Sequence, residues 1–259
     1  MTDGALVADG VVKRFGGLVA VDELSLTVEP GHVVALIGPN GAGKTTFFNC
    51  LTGILDADRG TIRLGGADIT NWSTARRAQA GIGRTFQRLQ VFTRMTVRQN
   101  LQVAAEAVGG GGGVVRGLLS RRGSADGDVT ATVDGALERL GLGWCANRLG
   151  GDLPTGVLRL VELGRALCAA PQILLLDEPV SGLDATETNH LRAVIDELAA
   201  QGIGVLLVEH DVGFVLAVAE TIYVLDFGRL IASGRPDEIE ADPAVRSAYL
   251  GSTFVAETP

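Results

Sequence analysis

The sequence predicts an α/β fold with a mainly parallel sheet, a small antiparallel β layer beside it and an inserted α-helical lobe. Three observations predict it. Continuous apolar runs of four or five residues recur with helical segments between them, the pattern of parallel strands buried on both faces. A glycine-rich loop joins one such run to a helix. The middle of the chain, from about residue 96 to 168, is mostly helical in pattern.

The elements follow in order. Residues 6–13, 24–28 and 61–64 have strand character, punctuated by Glu29-Pro30-Gly31 and Arg59-Gly60, and predict the antiparallel layer. Val33-Val34-Ala35-Leu36-Ile37 predicts the first buried strand, and residues 173–176 and 205–208 predict two more. Helical patterning covers residues 97–101, 133–140 and 157–168. Between the first two lies the stretch 108–127, with five consecutive glycines (Gly109 to Gly113) and Arg121-Arg122, which reads as a flexible loop. Residues 235–250 hold two prolines and short helical turns, expected to pack back on the core. The resulting division is a core of residues 1–86 and 167–259, with residues 87–166 as the inserted lobe.

Composition narrows the function. With 259 residues and 46% hydrophobic content the chain can bury a full core, and disorder is excluded. A net charge of −8 disfavours nucleic acid as a partner. Cys50, Cys145 and Cys168 lie far apart, as do His32, His190 and His210, so no disulfide framework or zinc site is implied. The N-terminus has no signal-peptide pattern, and no apolar run approaches the ~18 residues of a membrane span. Any membrane role is therefore expected to be peripheral. Of 22 basic residues only Lys13 and Lys44 are lysines.

Lys44 falls in Gly38-Pro39-Asn40-Gly41-Ala42-Gly43-Lys44-Thr45-Thr46, which matches GxxxxGK[ST] between a predicted strand and a predicted helix. The glycines let the backbone curl so that N–H groups face an anion. The helix end adds its positive dipole, and Lys44 adds a compact charge on a flexible stem. The Thr45 hydroxyl can ligate Mg2+. Leu174-Leu175-Leu176-Asp177-Glu178 supplies an apolar strand ending in two carboxylates. Asp177 is placed to hold Mg2+ through water, and Glu178 to polarise an attacking water. Lys13 has no role that the sequence assigns.

With these motifs in place, the chain resembles the ATP-binding subunit of ABC transporters over nearly its full length. Gln87, in Arg84-Thr85-Phe86-Gln87, matches the family's Q-loop. Ser181-Gly182-Leu183-Asp184 matches the D-loop, and His210, after Val208-Glu209, matches the switch histidine. Phe15 precedes the phosphate loop where the family places an aromatic residue against adenine. The resemblance implies a RecA-like P-loop NTPase core that binds ATP and Mg2+. Thr45 and Asp177 would serve the metal, Gln87 would contact the metal or the attacking water, Glu178 would be the general base, and His210 would contact the γ-phosphate. A second ABC ATPase would complete the site head to tail, contributing its signature helix and D-loop aspartate, here Asp184. Transmembrane permease subunits and, indirectly, a substrate-binding protein would be further partners, holding the chain at the cytoplasmic face of the membrane.

The chain departs from the family at the LSGGQ signature, which here reads Leu153-Pro154-Thr155-Gly156-Val157. Proline replaces the serine, and Thr155 is the neighbouring hydroxyl that could partly stand in for it. The N–H groups near Gly156 can still face a phosphate. This departure favours a pair of unlike ATPases.

Finer wording, from Phe47-Phe48-Asn49-Cys50 to the closing Ala248-Tyr249-Leu250-Gly251, resembles ATPases of branched-chain amino-acid importers. Urea and amide importers and the lipopolysaccharide-export ATPase share part of it. Phe92, Met95 and Val97 are apolar residues expected at the permease contact. Soluble ABC ATPases of DNA repair or translation are disfavoured by the single cassette and acidic balance, and GTPases by the lack of DxxG and NKxD motifs.

Overall fold

The strand Val33–Ile37 shows how the layers arise. Its five residues are all buried. Val33, Ala35 and Ile37 enter one apolar cluster, while Val34 and Leu36 enter another on the opposite face. Successive strand side chains point to opposite faces, so a sheet covered on both sides needs an unbroken apolar run.

The structure, a computed structural model, describes residues 4–85, 89–109 and 125–248. In chain order the elements begin with β1 (Leu6–Phe15), β2 (Leu18–Val28), β3 (Val33–Ile37) and α1 (Lys44–Thr52). Next come β4 (Arg59–Leu64), β5 (Ala67–Asp68), α2 (Thr74–Gln79) and β6 (Ile82–Arg84). The lobe holds α3 (Val97–Gly109), α4 (Ala125–Arg139) and α5 (Thr155–Leu167). The chain returns through β7 (Ile173–Asp177), α6 (Ala185–Ala200), β8 (Gly204–Val208) and α7 (Val212–Val218). It continues with β9 (Thr221–Asp226), β10 (Arg229–Gly234), α8 (Pro236–Ala241) and α9 (Pro243–Ala248).

One sheet has the order β10-β9-β3-β8-β7-β6. Its strands pair in parallel except β10 with β9. The other sheet, β2-β1-β4-β5, is antiparallel throughout. Helix α1 is buried between the two sheets. Its Phe47, Phe48 and Leu51 pack with Leu6, Leu24 and Ile62 of the small sheet and with Leu36 and Val208 of the large one. On the other face of the large sheet, Leu101, Leu137 and Val161 of the lobe share a core with Ile195 of α6. Ile239 and Val245 bring the C-terminal helices onto that same core, as expected of the two proline-started turns.

The expected fold class is therefore realised, with three adjustments. First, the glycine-rich stretch is shorter than 108–127: α3 runs through Gly109 and α4 begins at Ala125, while 110–124 lie outside the described residues. Second, Val97 is fully buried as the first residue of α3, so it belongs to the lobe core and not to an outer contact. Third, Trp144, of a residue type that is usually well buried, is instead 63% exposed, with the Arg148 guanidinium 5.7 Å from its ring centre.

Candidate nucleotide site

The loop between β3 and α1 is held open by backbone geometry that only glycine accepts. Gly43, the N-cap of α1, has φ 102°, and a Cβ there would run into the Ala20 carbonyl. No side chain caps this helix. The N–H groups of its first turn have no intrahelical acceptor and carry the positive end of the helix dipole. Lys44 donates from Nζ to the carbonyls of Gly38 (2.6 Å) and Pro39 (3.0 Å), so its charge lies along the loop. Burial pulls the Lys44 pKa down, opposed by the charges of Glu178 and Asp177.

A cleft of about 510 Å3 opens over this loop. Asn40, Gly41, Ala42, Gly43, Lys44, Thr45 and Thr46 form its floor, Glu178 and Val208 one wall, and Phe15, Leu18 and Phe227 its apolar end. Phe15 is 47% exposed at the end of β1. Lys13 lies 5.7 Å from the Phe15 ring centre and bonds Asp58 at 3.1 Å. The second lysine thus buttresses the aromatic residue and ties β1 to the turn before β4, whose Asp58 also accepts the Arg14 N–H.

Asp177 ends β7 and is 3% exposed. Arg84 at the end of β6 reaches it with NH2 at 3.4 Å. The same guanidinium donates to Asn49 Oδ1 (2.8 Å) and Thr52 Oγ1 (2.9 Å) of α1 and stacks 4.9 Å from the centre of Phe48. Thr85 Oγ1 accepts the Asp177 N–H at 3.3 Å. Burial pushes the Asp177 pKa up, against the pull of Arg84. Arg84 therefore links the carboxylate strand to the helix that carries Lys44.

Glu178 is half-buried at φ 48°, a conformation that costs an ordinary residue about 1–3 kcal/mol and marks functional turns. Its N–H is held by the Val208 carbonyl at 2.9 Å. His210 is exposed and does not line the cleft. Its neighbour Glu209 is fully buried and accepts N–H groups from Val180 (3.0 Å), His210 (2.9 Å) and Asp211 (3.3 Å).

The remaining sequence-derived residues gather elsewhere. Thr155 is exposed and starts α5 behind Pro154, its N-cap, which offers no side-chain hydrogen bond. Gly156 is buried, and a Cβ on it would collide with the Glu187 carboxylate. Asp184 caps α6 by accepting the Glu187 N–H at 2.8 Å, and Glu187 accepts the Asp184 N–H at 3.0 Å in return. Thr155, Gly156 and Asp184 thus form a second cluster, none of them lining the cleft above Lys44. Gln87 lies outside the described residues.

Sequence reasoning missed Arg84 as a buried strut, Glu209 as a bridge and Phe227 at the cleft rim. Arg84 stood in the Arg84-Thr85-Phe86-Gln87 wording, and Glu209 preceded the switch histidine. Neither carries a local signal of burial. Phe227 sits at φ 43° in the β9–β10 turn and is 86% exposed, a position that apolar patterning does not reveal.

A strand–loop–helix anion nest beside a carboxylate-ended parallel strand, with a helical lobe inserted between them, defines an ATP-binding cassette. Comparison agrees: the ABC transporter family matches residues 21–181, and the chain belongs to that family of ATPases. The branched-chain amino acid ATP-binding cassette transporter family matches residues 229–255. The chain is 41% identical over 256 residues to the high-affinity branched-chain amino acid transport ATP-binding protein LivG of Salmonella typhimurium, covering 97% of this chain and 99% of the relative. BraF of Pseudomonas aeruginosa, named for the same transport, is 40% identical over 255 residues, with 97% and 99% covered. Among solved structures, a nucleotide-free ATP-binding cassette from an ABC transporter is 34% identical with TM-score 0.83, covering 96% of this chain and 99% of that one. An ADP conformation of such a cassette gives TM-score 0.81 at 34% identity, with 96% and 100% covered.

Proposed function

We propose that this chain is the ATP-hydrolysing subunit of an importer of branched-chain or other hydrophobic amino acids. The observation that carries this reading is near-full-length similarity to LivG and BraF, extending to the C-terminal match over residues 229–255. Two permeases and a second, different ATPase complete the transporter, and a binding protein delivers the solute. The chain works at the cytoplasmic face of the membrane through its permeases. Among the described residues no helix is long and apolar enough to cross a membrane.

The site residues fit ATP with Mg2+. Phe15 stacks on the base, and the loop N–H groups with Lys44 hold the β and γ phosphates. Thr45, Asp177 and Gln87 would hold Mg2+, which when bound neutralises charge on the phosphate oxygens. Among the described residues no cluster of three His, Cys, Asp or Glu side chains could hold a metal ion. A hydroxyl, one strand-end carboxylate and substrate oxygens are a donor set suited to Mg2+, which keeps several waters. Glu178 orients and deprotonates the attacking water, and His210, which stands outside the cleft in the chain alone, would hydrogen-bond the γ-phosphate in the assembled site. Catalysis is mainly positioning and charge neutralisation. The partner's signature completes this chain's site. This chain's own Thr155–Gly156 helix end, with Asp184, faces the partner's site, and Thr155 supplies the hydroxyl nearest the lost serine.

The test is reconstitution with its permeases and binding protein in vesicles. Leucine or another hydrophobic amino acid should stimulate ATP hydrolysis and accumulate. The Glu178→Gln chain should bind ATP normally and turn it over about 100-fold more slowly. Stimulation by urea or short amides alone, or no import of any amino acid, contradicts the proposed solute. A lipid-export reading has support in 35% identity over 249 residues to the lipopolysaccharide export ATP-binding protein LptB of Haemophilus influenzae. Stimulation by lipopolysaccharide in the same assay would favour it.

A further inference from the structure

Glu209 has no part in the chemistry above, yet it is fully buried between two loops that do. Its two carboxylate oxygens are divided between them. Oε1 accepts the Val180 N–H at 3.0 Å, two residues beyond Glu178 and at the start of the loop leading to Asp184. Oε2 accepts the N–H groups of His210 (2.9 Å) and Asp211 (3.3 Å) and lies 3.6 Å from His210 Nδ1. The strand frame adds a further link, because the Glu178 N–H is bound by the Val208 carbonyl next to Glu209.

From this geometry we infer that Glu209 is a positioning residue that locks the loop of Glu178 to the loop of His210, so that base and γ-phosphate contact move as one unit. A buried carboxylate is a demanding choice for a mere packing position, since it must be matched by N–H donors or cost several kcal/mol. Here three backbone donors converge on it, none from a cation, and all belong to the two catalytic loops. An amide cannot replace it. A glutamine has one acceptor oxygen, so its NH2 group would face the N–H groups of one loop or the other. Among the described residues Glu209's hydrogen bonds go to Val180, His210 and Asp211 and none to the phosphate loop, so ATP binding should not depend on it. The inference rests on the proposed roles of Glu178 and His210.

The experiment uses the full chain assembled with its partners, measuring kcat and KM for MgATP together with the unfolding temperature. Glu209→Gln should lower kcat at least tenfold while KM stays within twofold, and Glu209→Asp should lose less. The double variant with His210→Ala should be no more than twofold slower than His210→Ala alone, because both act on one unit. A loss in kcat matched by the loss of folded protein, a rise in KM instead, or fully multiplicative losses in the double variant would overturn the inference. Should Glu209→Gln not fold, the same readouts on Glu209→Asp decide. Glu178→Gln is the reference arm. If it leaves kcat intact, the proposed roles fail; if it abolishes turnover while Glu209→Gln does not, only the inference about Glu209 fails.

Discussion

Two helix N-termini in this protein both lack a side-chain cap and differ in what surrounds them. Helix α1 begins after Gly43 in a left-handed turn, has no side-chain cap, and opens its first N–H groups to a cleft with Lys44 beside them. Helix α5 begins after Pro154 in extended geometry, also without a side-chain cap, but the Glu187 carboxylate sits against Gly156 in its first turn. The first end sets open N–H donors and a lysine together at one cleft. The second has the Glu187 carboxylate against its first turn, where its dipole favours one. A helix terminus becomes a phosphate site only when the surrounding residues leave its donors open and add positive charge.

Arg84→Ala should break the first region most severely. It strands the buried Asp177 without its guanidinium and frees α1 from β7, so stability should fall by about 3–5 kcal/mol, read from denaturant unfolding. Lys44→Ala should leave unfolding unchanged and lower ATP hydrolysis by about 100-fold. At the second region the effects are smaller. Glu187→Ala removes half of the capping box of α6 and should cost about 1 kcal/mol in the same unfolding experiment. Thr155→Val should slow turnover of the assembled transporter by about fivefold, the worth of one modest hydrogen bond, and unaltered turnover would count against its hydroxyl role.

The finest effect concerns pH. Burial raises the Glu209 pKa above the ordinary carboxylate value, only partly offset by its three N–H donors. Between the ordinary and raised values the folded chain holds a proton that the unfolded chain has lost. This group's contribution to stability is therefore full below the ordinary value and fades as pH rises through the folded one. Unfolding measured across that window should show the native chain losing stability relative to Glu209→Gln as pH increases. A parallel pair of curves would contradict the shift.

Much of this was legible beforehand, for physical reasons. The double-faced strands announce themselves because no polar residue can occupy them, and Gly38 to Thr46 is readable because anion binding demands that backbone and that lysine. Strands β9 and β10 escaped notice, though Thr221-Ile222-Tyr223-Val224 carries β-branched and aromatic residues suited to a strand. Strand β6, three residues with a glycine at its centre, has too little pattern to read. Arg84, Glu209 and Lys13 were opaque for another reason. Each gains its role from partners distant in sequence, such as Asn49, Val180 and Asp58. Val97 was misplaced because an apolar residue at a helix start looks the same whether it faces a partner or its own core.

The central claim is that the triphosphate is held by the chain's own α1 cleft and not by its α5 end. Equilibrium ATP binding to the full chain tests it directly. Lys44→Ala should weaken binding by about 30-fold or more, the loss of one charge-assisted contact, while Thr155→Val should leave it within about twofold. Equal weakening by both substitutions, or no weakening by Lys44→Ala, would contradict the account.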